Sequence, residues 1–136
     1  MIYKPSEGAP HTSNVTRALF EAFLDKRFYR CIEGAVETSK ALTASNVDII
    51  VFTGGSVTGK YVAAAAAMNL TPCILELGGK CPCIVDSTAN LQAAMSKICS
   101  GKFLNAGQTC IAPDHLWVEK KVLPKVLKMI QETLKA

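Results

Sequence analysis

The chain has 136 residues, of which 49% are apolar, and its 15 basic and 11 acidic side chains leave a net charge of +4. A chain of that size buries about two-thirds of its unfolded surface on folding, so disorder is excluded as the default. The basic residues are scattered rather than gathered on a face with aromatic neighbours, which argues against a nucleic-acid partner, and no run approaches the ~18 apolar residues of a membrane span.

The opening "MIYKPSEGAP" lacks the apolar run of a secretory leader. Met1–Lys4 is short and apolar and is stopped by Pro5 and Ser6. In "SNVTRALFEAFLDKR", Val15, Leu19, Phe20, Phe23 and Leu24 recur at helical spacing, and Thr12 to Asn14 offer caps. "FYRCIEG" reads as a strand closed by Gly34, and Val36 to about Ala44 as a helix. "VDIIVFTGG" is the clearest strand. Its continuous apolar run, Ile49 to Phe52, fits a strand buried on both faces of a parallel sheet.

The alanine-rich stretch from Ser56 has high helix propensity and is ended by Thr71 and Pro72. "CILELGGK" and "PCIVD" follow as strands. "LQAAMSKICSGKFL" places Leu91, Ala94, Met95, Ile98 and Cys99 on one helical face. "NAGQTCIAPD" is a loop, "HLWVEK" a strand, and the chain closes on a helix with Val126, Leu127, Ile130 and Leu134 apolar. The order βαβαβαββαβα implies an α/β fold: a Rossmann-like parallel sheet flanked by helices, with ligands at the carboxyl edge of its strands. Lys4, Gly54 and Glu76 all fall at or near such edges.

The six cysteines, Cys31, Cys73, Cys81, Cys83, Cys99 and Cys110, are expected as free thiols in a reducing, cytoplasmic compartment. Cys81-Pro-Cys83 has half the look of a metal site. No second cysteine pair or nearby histidine completes it, so Cys73, Cys81 and Cys83 read as small residues of buried strands and no metal is expected.

Three stretches carry chemistry. In "VFTGGSVTGKY", Gly54, Gly59 and Lys60 satisfy a triphosphate loop until Tyr61, where a magnesium-binding hydroxyl is required. Glycines after a strand and free N–H groups at the next helix still suit an anion, and a ligand-free tight turn is an equal alternative on this loop alone. In "LELGGK", Glu76 interrupts an apolar strand. A carboxylate buried there must be paired or have its pKa raised, and the second case makes a general base. In "NAGQTC", Cys110 is the one cysteine in a small-polar loop and is a candidate nucleophile. His115 opens an apolar strand and does not make a convincing Cys–His pair with it.

Together "KPSE" (Lys4–Glu7), "FTGGSVTGK" (Phe52–Lys60), "LELGGK" (Leu75–Lys80) and "GQTC" (Gly107–Cys110) resemble the NAD(P)-dependent aldehyde dehydrogenase superfamily. Their order and spacing match, with Glu76 and Cys110 standing 34 residues apart. "AAAAMNLTPCILELGGKCPCIVD" and "GKFLNAGQTCIAPD" are most similar to class 3, the fatty and aromatic aldehyde dehydrogenases.

The resemblance implies that Cys110 attacks an aldehyde, passing through a thiohemiacetal and a thioester, and that Glu76 activates the hydrolytic water. It implies NAD as cofactor, with NADP possible. Lys4 and Glu7 would hold the adenosine ribose, Gly54, Gly55, Ser56 and Gly59 the pyrophosphate, and Leu77 and Gly78 the nicotinamide end. Glu7 favours NAD because a carboxylate repels a 2′-phosphate.

The family usually carries serine, threonine or asparagine where Gly55 stands. Its members run to about three or four typical domain lengths, so the chain corresponds to a central fragment: residues 1–78 part of the NAD-binding domain, 79–136 the start of the catalytic domain. The oxyanion-hole asparagine would precede Met1, and the residues holding the nicotinamide ribose would follow Ala136. Little turnover is therefore expected of this chain alone, while full-length relatives would be homodimers. The alternative is a non-catalytic remnant that binds NAD weakly or pairs with a full-length relative.

Overall fold

The computed structural model describes residues 1–135. The elements are β1 (Ile2–Tyr3), α1 (Pro10–Phe23), β2 (Arg30–Cys31), α2 (Val36–Thr43), β3 (Ile50–Gly54), α3 (Ser56–Met68), β4 (Cys73–Leu77), β5 (Pro82–Val85), α4 (Leu91–Phe103), a 3-10 turn (Leu104–Gly107), β6 (His115–Val118) and α5 (Leu123–Lys135). The α/β class and the element order are those the sequence implies. The sheet comes in three two-stranded pieces, β1-β2, β3-β4 and β5-β6, rather than as one continuous sheet. The chain forms two compact units, Met1–Glu76 and one beginning at Leu77.

In the first unit β1 and β2 run parallel, Ile2 opposite Arg30 and Tyr3 opposite Cys31. Two residues each is all the ladder they form, shorter than "FYRCIEG" suggested. Helix α1 crosses between them and stacks Phe20 on Tyr3 at 5.7 Å. It starts earlier than Thr12–Asn14 would place a cap. Pro10 occupies the first turn, where its missing N–H costs nothing. Ser13 then lies buried inside the helix, and its hydroxyl donates to the Ser6 carbonyl at 2.8 Å.

Helix α3 connects the hydrogen-bonded strands β3 and β4. Gly59, Val62 and Ala66 form its buried stripe, at spacings of three and four residues. Small side chains let the helix lie close to its neighbours, and Val62 contributes about 1.5–3 kcal/mol by burial. Thr71, also buried, donates its hydroxyl to the Val47 carbonyl at 3.1 Å.

Strand burial corrects one expectation. β3 and β4 alternate half-buried with exposed residues, and Val51 is 66% exposed. The apolar run that suggested two buried faces has one exposed face among the described residues. Cys73, Cys81 and Cys83 are correspondingly half-buried rather than buried; Cys99, on α4, is the buried one.

In the second unit β5 and β6 pair in parallel from Pro82 opposite His115 to Val85 opposite Val118. Asn90 caps α4, its side-chain oxygen accepting from Ala93 N–H at 3.1 Å. Val85, Leu91, Met95 and Val126 make the core, with Ile98, Val118, Val122, Met129 and Ile130 packed around it. Leu91, Met95 and Cys99 face inward on α4 as their spacing predicts. Val122, just before α5, and Val126, Met129 and Ile130 on it face inward, at i, i+4, i+7 and i+8. Leu127 and Leu134, apolar as they are, point out to solvent. Among the described residues no helix is long and apolar enough to cross a membrane.

Candidate active site

Lys4 follows β1, and its ammonium donates to the Pro5 carbonyl at 2.6 Å, the Gly34 carbonyl at 2.9 Å and Glu7 Oε2 at 3.1 Å. An ammonium has three hydrogens, so all three are used. Glu7 meets the ammonium through one carboxylate oxygen. Its carboxyl is held below the ordinary glutamate value by its own backbone N–H first and by Lys4 second.

Beside this pair opens a cleft of about 220 Å³ lined in part by Pro5, Glu7, Ser13, Glu33 and Gly34. It sits where β1 and β2 end, at their carboxyl edge, the place α/β folds use for ligands. Glu33 and Gly34 were not among the sequence candidates. Their signal was present, since "FYRCIEG" sets a carboxylate and a glycine just past the carboxyl end of a strand. Arg17 Nε meets Glu33 Oε2 at 2.8 Å and fixes it. Gly34 has φ +155°, and a β-carbon on it would lie 2.0 Å from Thr38 Oγ1, so the turn that delivers its carbonyl to Lys4 requires glycine.

The glycine loop comes next. β3 ends at Gly54, Gly55 is the N-cap of α3 in extended conformation, and no side chain caps the helix. The first-turn N–H groups have no intrahelical partners and lie at the positive end of the helix dipole. A β-carbon on Gly55 would meet nothing within 4 Å, whereas one on Gly54 would press on the Phe52 ring at 2.5 Å. Gly59 is buried in the body of α3. It shares the helix's buried side with Val62 and Ala66. Ser56 is exposed at the helix start.

Glu76 closes the first unit. Its expected burial does not occur. Successive side chains of β4 alternate, so Cys73, Leu75 and Leu77 turn inward while Ile74 and Glu76 turn to the exposed face. The carboxylate is reachable by water without the desolvation that the sequence reading invoked.

The second unit opens with half-buried Leu77, the last residue of β4, followed by Gly78. A β-carbon on Gly78 would meet nothing within 4 Å. Cys110 lies in the turn after α4, and it is the exposed one of the six free cysteines. Its approach is braced: Asn105 Nδ2 donates to the Gln108 carbonyl at 3.1 Å, and Ala112 N–H to the Thr109 carbonyl at 3.0 Å. Asn105, Ala106 and Gly107 are left-handed in succession, with φ of 52°, 56° and 76°. His115 turns to Asp114, with Nδ1 to Oδ2 at 3.5 Å, and Lys80 reaches the same oxygen at 3.5 Å. Cys81 Sγ lies 3.1 Å from the Cys110 carbonyl.

The donor set fits a dinucleotide in its separate parts: a free carboxylate oxygen for a ribose, an uncapped helix for a pyrophosphate, and glycines that leave room beside them. The exposed thiol and carboxylate have the chemistry of a nucleophile and a base. Which known proteins share the pattern is answered by comparison. The family model described as "Aldehyde dehydrogenase family" matches residues 1–136.

The 4,4'-diapolycopene-4,4'-dial dehydrogenase of Cytobacillus firmus is 46% identical over 135 residues, covering 99% of this chain and 30% of the relative. The dimeric NADP-preferring aldehyde dehydrogenase of Mus musculus is 39% identical, covering 99% and 30%. Aldehyde dehydrogenase family 3 member A2 of Rattus norvegicus is 40% identical, covering 98% and 28%. The solved substrate-bound state of Staphylococcus aureus AldH superimposes with a TM-score of 0.90 at 42% identity, covering 98% of this chain and 29% of that one. The chain thus spans less than a third of the length of the proteins it matches.

Proposed function

The chain belongs to the aldehyde dehydrogenase family, and from that premise we propose that it carries the nucleophile, the base and part of the dinucleotide site for oxidising an aldehyde to a carboxylic acid. The observation that carries the proposal is the exposure of Cys110 alone among six free cysteines, in a braced turn. Its thiolate adds to the aldehyde carbon to give a thiohemiacetal, and loss of hydride leaves a thioester. Glu76, exposed on β4, takes a proton from the water that hydrolyses it. The Cys110 backbone N–H donates to the developing oxyanion. NAD, when bound, supplies the hydride acceptor.

Glu7 holds a ribose hydroxyl with the carboxylate oxygen that Lys4 leaves free, and Glu33 stands at the same cleft. The first-turn N–H groups after Gly55 take the pyrophosphate. Leu77 and Gly78 pass the nicotinamide end, where the open space at Gly78 suits a close ligand. On this reading residues 1–78 are part of the NAD-binding domain and residues 79–136 begin the catalytic domain. Glu7 disfavours a 2′-phosphate, so NAD is the preferred cofactor, unlike the preference named for the mouse relative.

Calorimetric titration with NAD, together with absorbance at the NADH band after adding an aldehyde, tests this. NAD binding is expected, along with little NADH from this chain by itself. A chain that does not bind NAD would sink the dinucleotide assignment. NADH produced at the pace of an intact family member, and abolished by Cys110→Ala, would overturn the partial-site assignment.

A further inference from the structure

We propose that Cys81 is a resolving thiol for Cys110, so that a hydroperoxide converts the two into a reversible disulfide. Cys81 stands just before β5, and its Sγ donates to the Cys110 carbonyl oxygen at 3.1 Å. That oxygen is two bonds from the Cys110 α-carbon, so the Cys81 sulfur already sits at the foot of the Cys110 side chain. The contact is fixed from both ends. Asp114 N–H donates to the Cys81 carbonyl at 2.9 Å, and Ala112 N–H to the Thr109 carbonyl at 3.0 Å, which folds the intervening residues back onto Cys81. Ala112 is buried beneath that turn. Gly79 borders both groups: a β-carbon there would lie 3.5 Å from Cys81 Sγ and 3.6 Å from the Cys110 oxygen. Glycine therefore keeps the space beside the two residues free of a third side chain.

The chemistry balances with a hydroperoxide as oxidant. The exposed Cys110 thiolate attacks the outer peroxide oxygen. An S–O bond forms, the O–O bond breaks, and the alkoxide leaves and takes a proton. The Cys81 thiolate then attacks the sulfenic sulfur, forming S–S while hydroxide leaves as water. Two thiols lose two electrons and two protons in all. Cys81 is half-buried where Cys110 is exposed, so a peroxide from solvent meets Cys110 first. The disulfide stops Cys110 short of irreversible sulfinic acid, and a thiol reductant restores it. The pairing needs only two thiols within reach, so it stands apart from what Cys110 does to aldehydes.

The test is non-reducing peptide mapping of the whole chain after a stoichiometric dose of hydrogen peroxide. The expected principal product is a Cys81–Cys110 linked peptide that dithiothreitol reverses. In Cys81→Ser, sulfinic acid at Cys110 should rise several-fold, while Cys83→Ser should behave as the unaltered chain. Equal sulfinic acid with and without Cys81, or a principal linkage joining other cysteines, overturns the proposal. Should Cys81→Ser fail to fold, the linkage map of the unaltered chain decides by itself.

Discussion

Lys4 and Glu7 show how much a single pair of side chains reveals about a site. The resemblance marked both as ribose-holding positions. The geometry adds that the three hydrogens of Lys4 go to Pro5, Glu7 and Gly34, which ties the start of the chain to the segment after β2. Glu7→Gln should therefore weaken NAD and raise the relative affinity for NADP, read by titrating both cofactors. The carboxyl also has a pH signature. Its folded pKa lies below the ordinary 4.5, from its own backbone N–H first and Lys4 second. The pair's contribution is full above the ordinary value and is lost only as pH falls through the lowered one. Carboxyl NMR should give a midpoint below 4.5 for Glu7, moving part of the way back in Lys4→Met, because the backbone bond survives. The sequence could not show this, since chain spacing says which residues are near, not which hydrogens are already taken. It misjudged Glu76 for a related reason. Apolar neighbours in sequence turn to the opposite face of a strand, so they do not bury it.

Elements were legible in proportion to their periodicity. Helix α4 has the stripe that its spacing gives and an asparagine cap of the usual kind, whereas α3 was legible from alanine propensity and its buried stripe was not. α1 was misplaced at its start because a polar cluster resembles a cap, while Pro10 sets the true first turn. Two substitutions probe the elements that build the site. Gly55 is an extended N-cap with open space around its β-position. Gly55→Ser should stabilise α3 by a few tenths of a kcal/mol and tighten NAD, seen together in thermal melts and titration. Gly107 has φ +76°, and a β-carbon would approach the Lys102 carbonyl at 3.0 Å. Gly107→Ala should cost about 1–2 kcal/mol by strain in denaturant unfolding and disturb the turn that presents Cys110. The left-handed run leading into that turn was not legible, because Asn105 and Ala106 carry no glycine signal.

At the scale of the whole chain, the α/β class and the family could be read from four short motifs, and the exposed apolar surface could not. Ile84 and Trp117 are 77% and 65% exposed on β5 and β6, as Val51 is on β3. Bare apolar sheet faces of this kind favour association. The purified chain should self-associate as its concentration rises, measured by light scattering, and should bind a hydrophobic dye. The core itself is compact: Met95 is 1% exposed, and Met95→Ala should cost about 2–5 kcal/mol. The central claim concerns one atom, the sulfur of Cys110, and an activated ester tests it without the rest of the dehydrogenase cycle. Brief exposure to 4-nitrophenyl acetate, followed by peptide mapping of all six cysteines, locates the acyl group. The account predicts acetyl on Cys110 first and none there in Cys110→Ala. Acylation spread evenly over the cysteines, or favouring a half-buried one such as Cys83, would contradict it.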